Sequence, residues 1–144
     1  MKIRLRSFYS LPLLLFILIL AFGCGKPVVK CESPEDNPAH HYLRWMELLE
    51  DMKLDEAGEK FERSVYCDEG YGPAFGGLAI VAAYRSAGGI DPALKKDAAG
   101  KSYTHLKRSG KNADTPEEEY AWRVASIRVG SILKPRGWIE DAES

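Results

Sequence analysis

The chain has 144 residues and a mass of 16.1 kDa, which is the size of one ordinary domain. Its 20 basic and 21 acidic residues give a formal net charge of -1, which argues against a basic nucleic-acid-binding protein. A hydrophobic content of 45% with 28% charged residues is typical of a folded chain rather than a disordered one. Three cysteines are too few for a small disulfide-rich scaffold.

The N-terminus has the pattern of an export signal. Lys2, Arg4 and Arg6 precede an apolar run over residues 11–22, which Pro12 interrupts. A membrane-spanning helix needs about 20 apolar residues, so this run is too short to predict a simple transmembrane anchor. A basic start followed by a short apolar run is instead typical of a secretory signal.

The end of the run, from Leu20 to Cys24, resembles a bacterial lipobox, in which a lipidated cysteine becomes the mature N-terminus. Gly23 and Cys24 match it well, but the two residues before Gly23 match it less well. The resemblance implies a lipoprotein signal peptide over residues 1–23 and a covalent lipid on Cys24. Gly25 then implies sorting to the outer membrane, by the rule of enteric-type proteobacteria. An uncleaved anchor and an ordinary secretory signal remain the alternatives.

Residues 24–37 contain prolines and charges without apolar periodicity, which predicts a flexible tether. Removal of the signal lowers the Lys plus Arg count from 20 to 17 against 21 acidic residues, so the mature charge is -4. This acidic balance predicts a body that faces the periplasm without a polybasic membrane patch. Cys31 and Cys67 are then an even pair in an oxidising compartment, which leaves a disulfide or two free thiols open.

Residues 38–144 are predicted to form an all-α domain, because apolar residues recur at helical spacing and no segment shows strand alternation. Proline and glycine mark the helix boundaries. A polar loop is predicted over residues 109–114. Five helices and the start of a sixth are expected, over residues 38–51, 54–66, 73–85, 92–107, 116–133 and 138–143.

The fifth predicted helix has two apolar stripes at helical spacing, and both are candidates for the core. One is formed by Tyr120, Val124, Ile127 and Leu133, and the other by Trp122, Ala125 and Val129.

A short motif recurs along the chain, since the segment from Ala57 to Phe61 is echoed 42 residues later by the segment from Ala99 to Tyr103. Helix pairs that recur with a period of 20–50 residues indicate a solenoid. The positions that carry a family resemblance are Ala57, Phe61, Ala74, Phe75, Leu78 and Ala79, and they resemble the tetratricopeptide repeat (TPR). The resemblance covers about residues 41–84 and weakens afterwards, because the family period is 34 residues. It implies a short TPR-like helical-hairpin solenoid of about two and a half degenerate repeats.

In the TPR family the first helices of the repeats line a groove. By matching repeat positions, the resemblance implies a partner-binding groove formed by Tyr42, Met46, Leu49, Ile80, Ala83 and Tyr84. Apolar positions of this kind suit a hydrophobic or helical segment of an envelope protein or peptide. The predicted function is therefore that of a lipid-anchored periplasmic adaptor or scaffold. It would contact the membrane through its lipid and would bind no nucleic acid.

Two other functions remain open at this point. One is a structural assembly factor, similar to pilotins or to lipoproteins of outer-membrane and secretion assembly. The other is a transport accessory lipoprotein whose body forms a ligand cavity. An enzyme is not predicted, because no nucleophile, base and orienting group can be proposed together. No metal site and no cofactor other than the lipid on Cys24 are expected.

Overall fold

The computed structural model describes residue 31 and residues 37–134. This part of the chain contains five helices and no strand, which confirms the all-α prediction. The predicted signal peptide, Cys24, most of the tether and the sixth helix at 138–143 lie outside the described residues. The helices are α1 (Pro38–Glu50), α2 (Leu54–Cys67), α3 (Gly72–Gly88), α4 (Pro92–Lys111) and α5 (Pro116–Leu133).

Most helix starts carry local sequence signals that the structure uses. Asn37 caps α1 by accepting a hydrogen bond from the Ala39 backbone N–H at 3.0 Å, and Asp91 caps α4 in the same way. At α5, Thr115 and Glu118 form a reciprocal capping box. Four of the five helices also have proline in the first turn, where the missing N–H costs nothing. These starts agree with the predicted boundaries.

Helix α4 extends further than predicted, because residues 109–111 belong to the helix and not to a polar loop. Ser109 is fully buried, and a Cβ atom on Gly110 would lie only 2.8 Å from Nε1 of Trp122. Gly110 therefore lets Trp122 of α5 approach the last turn of α4, and Ser109 lies against Gly76 of α3. Their polarity suggested a loop, but their size serves helix packing.

Helix α3 is the central element of the body, since it contacts each of the other four helices. Its small residues make this possible. A Cβ atom on Gly77 would overlap the ring of Phe61 on α2, and one on Gly76 would lie 3.1 Å from Cβ of Ala125 on α5. Glycine costs about 1 kcal/mol of helix propensity relative to alanine, and the close packing offsets this cost.

The remaining helices flank α3 as two pairs, since α1 packs against α2 and α4 packs against α5. An ion pair also links α5 to α1, where Arg128 lies 3.8 Å from the Glu50 carboxylate. The core between them includes Trp45, whose ring packs edge-on against Phe61 with the ring centroids 5.3 Å apart.

The first predicted stripe on α5 faces the core at Leu133 but not at its two exposed members. Tyr120 is 71% exposed and Ile127 is 49% exposed. The buried side chains are Ala121, Ala125 and Val129. Because two of these three are alanines, the α5 backbone can lie close to α3, whereas a tyrosine at the contact would hold the two helices apart.

The two segments of the predicted internal repeat differ in burial. Phe61 is fully buried, whereas Tyr103, its predicted counterpart, is 44% exposed. The neighbouring Ser102 is the fully buried residue, and its hydroxyl donates a hydrogen bond to the Ala79 carbonyl at 2.8 Å. A serine at this position brings α4 nearer to α3 than an aromatic ring would allow.

Candidate functional site

A disulfide between Cys31 and Cys67 joins the segment before α1 to the last residue of α2. The two Cα atoms are 5.0 Å apart, and Cys67 is fully buried. Of the two states left open by the sequence, the structure contains the bonded one. Cys31 lies seven positions after Cys24, so the bond fixes a point near the predicted lipidation site to one end of the helical body.

The predicted groove is not open in the structure. Leu49, Ile80 and Ala83 have exposed fractions of 2%, 1% and 0%, and all three belong to the core. In an open solenoid these positions would face a concave surface. Here α1 and α5 approach each other in front of α3, and their side chains cover that surface. These three residues therefore cannot contact a partner, and their assignment to the groove is corrected.

The other groove residues, Tyr42, Met46 and Tyr84, are partly buried at the edge of the core. Burial raises the pKa of Tyr42. The positive charge of the nearby Arg128 lowers this pKa, and Tyr120 raises it. These influences place Tyr42 of α1 near the exposed residues of α5. Tyr120 and Ile127 lie seven residues apart on α5, which is two helical turns, so they share one side of the helix.

We call the surface formed by Tyr42, Met46, Tyr120 and Ile127 the α1–α5 surface. Tyr71, in the turn before α3, lies beside it. Burial raises the pKa of Tyr71, and Tyr42, Glu118 and Asp68 act in the same direction. The phenols of Tyr42 and Tyr71 are therefore neutral at physiological pH. Neutral phenols next to apolar side chains suit docking of a protein segment, because each combines a large contact area with a hydrogen-bonding group.

Helix α4 has a second surface feature, which the net charge of the whole chain concealed. It contains six basic residues and one acidic residue, whereas α2 contains two basic and four acidic residues. A count of charges for each predicted helix would have found this segregation. The prediction that the body lacks a polybasic patch is therefore wrong for α4. Five of its exposed basic residues form a surface that we call the basic face: Lys96, Lys101, Lys107, Arg108 and Lys111.

Two aromatic contacts support the middle of α4. The Arg108 guanidinium lies over the Phe75 ring of α3, 4.3 Å from the ring centroid, and His105 stacks on the same ring. Burial lowers the pKa of His105, and the positive charge of Arg108 lowers it further. His105 is thus neutral at neutral pH and adds no charge to the basic face.

Among the described residues, no group of three His, Cys, Asp or Glu side chains is placed to hold a metal ion. None of the helices in the described part of the chain has the length and apolar content needed to cross a membrane. Comparison of the chain with protein-family models, with curated proteins and with solved structures gives no match.

Proposed function

We propose that this chain is a lipid-anchored periplasmic adaptor with a TPR-like helical body that binds an envelope protein or peptide. The Cys31–Cys67 disulfide is the observation that supports this most strongly. Structural disulfides persist in oxidising compartments such as the periplasm and are rare in the cytosol. The bond also uses two of the three cysteines, which leaves Cys24 for the lipid.

The order of helix contacts supports a TPR-like body. Each helix contacts the next one along the chain, and α3 also contacts α1 and α5. Successive helical hairpins of a TPR array stack in this order, so that each hairpin buries the apolar stripe of its neighbour. The body departs from an ideal array where α1 and α5 close in front of α3. This departure moves the proposed partner site from a concave groove to the α1–α5 surface.

The anchor can be tested by measuring the intact mass and the detergent partitioning of the chain made in a Gram-negative bacterium. We expect the wild type to begin at an acylated Cys24 and to enter the detergent phase. The Cys24→Ser variant should lack the acyl mass, and thiol labelling without reductant should find Cys31 and Cys67 blocked. A wild-type chain that carries no lipid would contradict the anchored adaptor.

The partner site can be tested by site-specific photo-cross-linking in the envelope. A photoreactive phenylalanine in place of Tyr120 should form one discrete adduct, which Ile127→Asp should abolish. The matched control is the same probe in place of Tyr66, which is exposed on α2 away from the α1–α5 surface. Equal adducts from both positions would show that the contact is not specific to this surface.

A further inference from the structure

The basic face follows from the helical periodicity of α4. At 100° per residue, Lys96, Lys107 and Lys111 lie within about 60° of one another, and Lys101 and Arg108 continue the same exposed side. Ser102 and Ser109 lie on the opposite side, where α4 packs into the body. The basic residues therefore form one continuous surface along a helix about 30 Å long.

Little of this positive charge is neutralised within the body. Asp97 pairs with Lys101 at 2.7 Å and is the one acidic residue on α4. In the part of the chain that the structure describes, no carboxylate pairs with Lys96, Lys107 or Lys111. The positive charges of these three lysines are therefore not neutralised by described carboxylates, and they are available to an external anionic surface.

Exposed apolar and aromatic side chains flank the basic face. Leu94 is 66% exposed in the first turn of α4, and Ile90, just before the helix, is 98% exposed. Tyr103 lies at the edge of the face. Basic residues next to exposed apolar and aromatic ones are the combination that binds the interface of a membrane with anionic lipids. This combination favours a lipid surface over an acidic protein.

The disulfide places the basic face near the proposed anchor. Glu69 and Gly70, which follow Cys67 closely, border a depression that Lys107, Arg108 and Lys111 also line. Cys31 is bonded to Cys67 and lies seven residues from Cys24, so the tether spans at most about 25 Å. The C-terminal half of α4 is thus held near the membrane that carries the lipid.

We propose that the basic face binds the headgroups of anionic phospholipids in the anchoring membrane. Electrostatic attraction to a membrane extends only about one Debye length, roughly 8 Å at physiological salt, and the short tether allows the lysines to come within that range. The binding fixes the orientation of the body. The α1–α5 surface contains no residue of α4, so it stays free for a periplasmic partner. This inference rests on the proposed function, because it requires the anchor at Cys24.

The test is lysine footprinting of the full chain in vesicles. The purified protein is inserted into vesicles of phosphatidylcholine alone or of phosphatidylcholine with phosphatidylglycerol, and is then treated with an amine-acylating reagent. Mass spectrometry reports the labelling of each lysine. In the anionic vesicles we expect the labelling rates of Lys96, Lys101, Lys107 and Lys111 to fall about fivefold or more, as for residues that contact the surface. The labelling of Lys53, which precedes α2 and lies outside the basic face, should not change.

High salt distinguishes headgroup binding by the lysines from anchoring by the acyl chain. At about 1 M salt the Debye length falls to about 3 Å, so the protection of the lysines should disappear. The acyl chain does not depend on salt, and the protein should stay on the vesicles.

A matched pair of charge variants completes the test, with Lys101 as the reporter in both. The Lys96→Gln/Lys107→Gln/Lys111→Gln variant should lose the protection of Lys101 in anionic vesicles. The Lys53→Gln/Lys60→Gln/Lys134→Gln variant removes the same number of charges outside the basic face. In this variant Lys101 should stay protected. Equal labelling in the two kinds of vesicle would overturn the proposal. Protection in native envelope membranes but not in vesicles would also overturn it, and would indicate an acidic protein as the partner.

The mass of the same preparation distinguishes failure of the proposal from failure of the proposed function. An acylated chain with unprotected lysines would overturn the lipid-binding face alone. A chain without the acyl mass would overturn the anchor and, with it, the inference.

Discussion

Three serines are fully buried in this body, and their hydroxyl groups have different surroundings. Ser102 donates to the Ala79 carbonyl across the α3–α4 contact. The hydroxyl groups of Ser64 and Ser109 have no hydrogen-bond partner among the described residues. A buried polar group without a partner loses its bonds to water and gains nothing in return. Serine is therefore stabilising at one of these sites and costly at the other two.

We expect Ser102→Ala to lower the free energy of unfolding by about 1 kcal/mol, because it removes a buried hydrogen bond. Ser64→Ala should leave that free energy unchanged or raise it by up to about 1 kcal/mol, because it removes an unsatisfied hydroxyl. Urea denaturation of both variants measures the difference. A similar loss in the two would mean that Ser64 has a partner after all.

The predicted partner-binding residues differ in their exposure. The resemblance implies that Tyr42 and Met46 belong to a partner surface, and both are partly exposed, as such a surface requires. Leu49, Ile80 and Ala83 were assigned with them and are buried. A helical pattern shows which residues share a side of their own helix, but not which neighbouring helix covers that side.

At the level of helices, the contact between α2 and α3 depends on a missing side chain. The ring of Phe61 occupies the space where a Cβ atom on Gly77 would lie. Gly100, in the middle of α4, is the opposite case, because nothing lies within 4 Å of its Cβ position. The two glycines have the same low helix propensity, so they form a matched pair for separating packing from propensity.

Gly77→Ala should lower the free energy of unfolding by about 1–3 kcal/mol, the usual cost of overpacking a core. Gly100→Ala should raise it by about 0.5–1 kcal/mol, because alanine favours the helix and meets no neighbour. Chemical denaturation of both variants is the measurement. If Gly77→Ala also stabilised the protein, the close packing of Phe61 on α3 would be wrong.

The helices that begin with a capping residue were predicted well, because a cap and a first-turn proline are local signals. Asn37, Asp91 and Thr115 each accept a hydrogen bond from a backbone N–H in the first turn of their helix. The end of α4 was missed, because Ser109 and Gly110 are typical of loops when they are considered alone. The role of Gly110 depends on Trp122 in the next helix, and that of Ser109 depends on Gly76 of α3. The core side of α5 was ambiguous for the same reason, since two apolar stripes were available.

At the level of the whole molecule, the disulfide is the longest-range covalent constraint among the described residues. It joins positions 36 residues apart and closes a loop that includes all of α1 and most of α2. In the chain-entropy account, such a loop stabilises the native state by restricting the unfolded chain. The sequence could suggest this pair from the number of cysteines, but the geometry had to come from the fold.

Reduction of the disulfide should lower the free energy of unfolding by roughly 3–4 kcal/mol. Cys31→Ser, whose position precedes the first helix, should give a similar loss. Thermal unfolding with and without reductant measures the effect, and Cys24→Ser is the control that should respond to reductant like the wild type. A wild-type protein whose midpoint is the same with and without reductant would show that the bond is absent in solution.

The central position of α3 has a consequence for how this body could have changed in length. A linear repeat array grows by insertion of another hairpin, because each unit contacts only its neighbours. Here α1 and α5 both pack on α3 and contribute side chains to one core, and the Glu50–Arg128 pair links them at 3.8 Å. A hairpin inserted between α3 and α5 would separate helices that now share one core. The body is thus a closed module, which duplication of an internal hairpin would disrupt rather than extend.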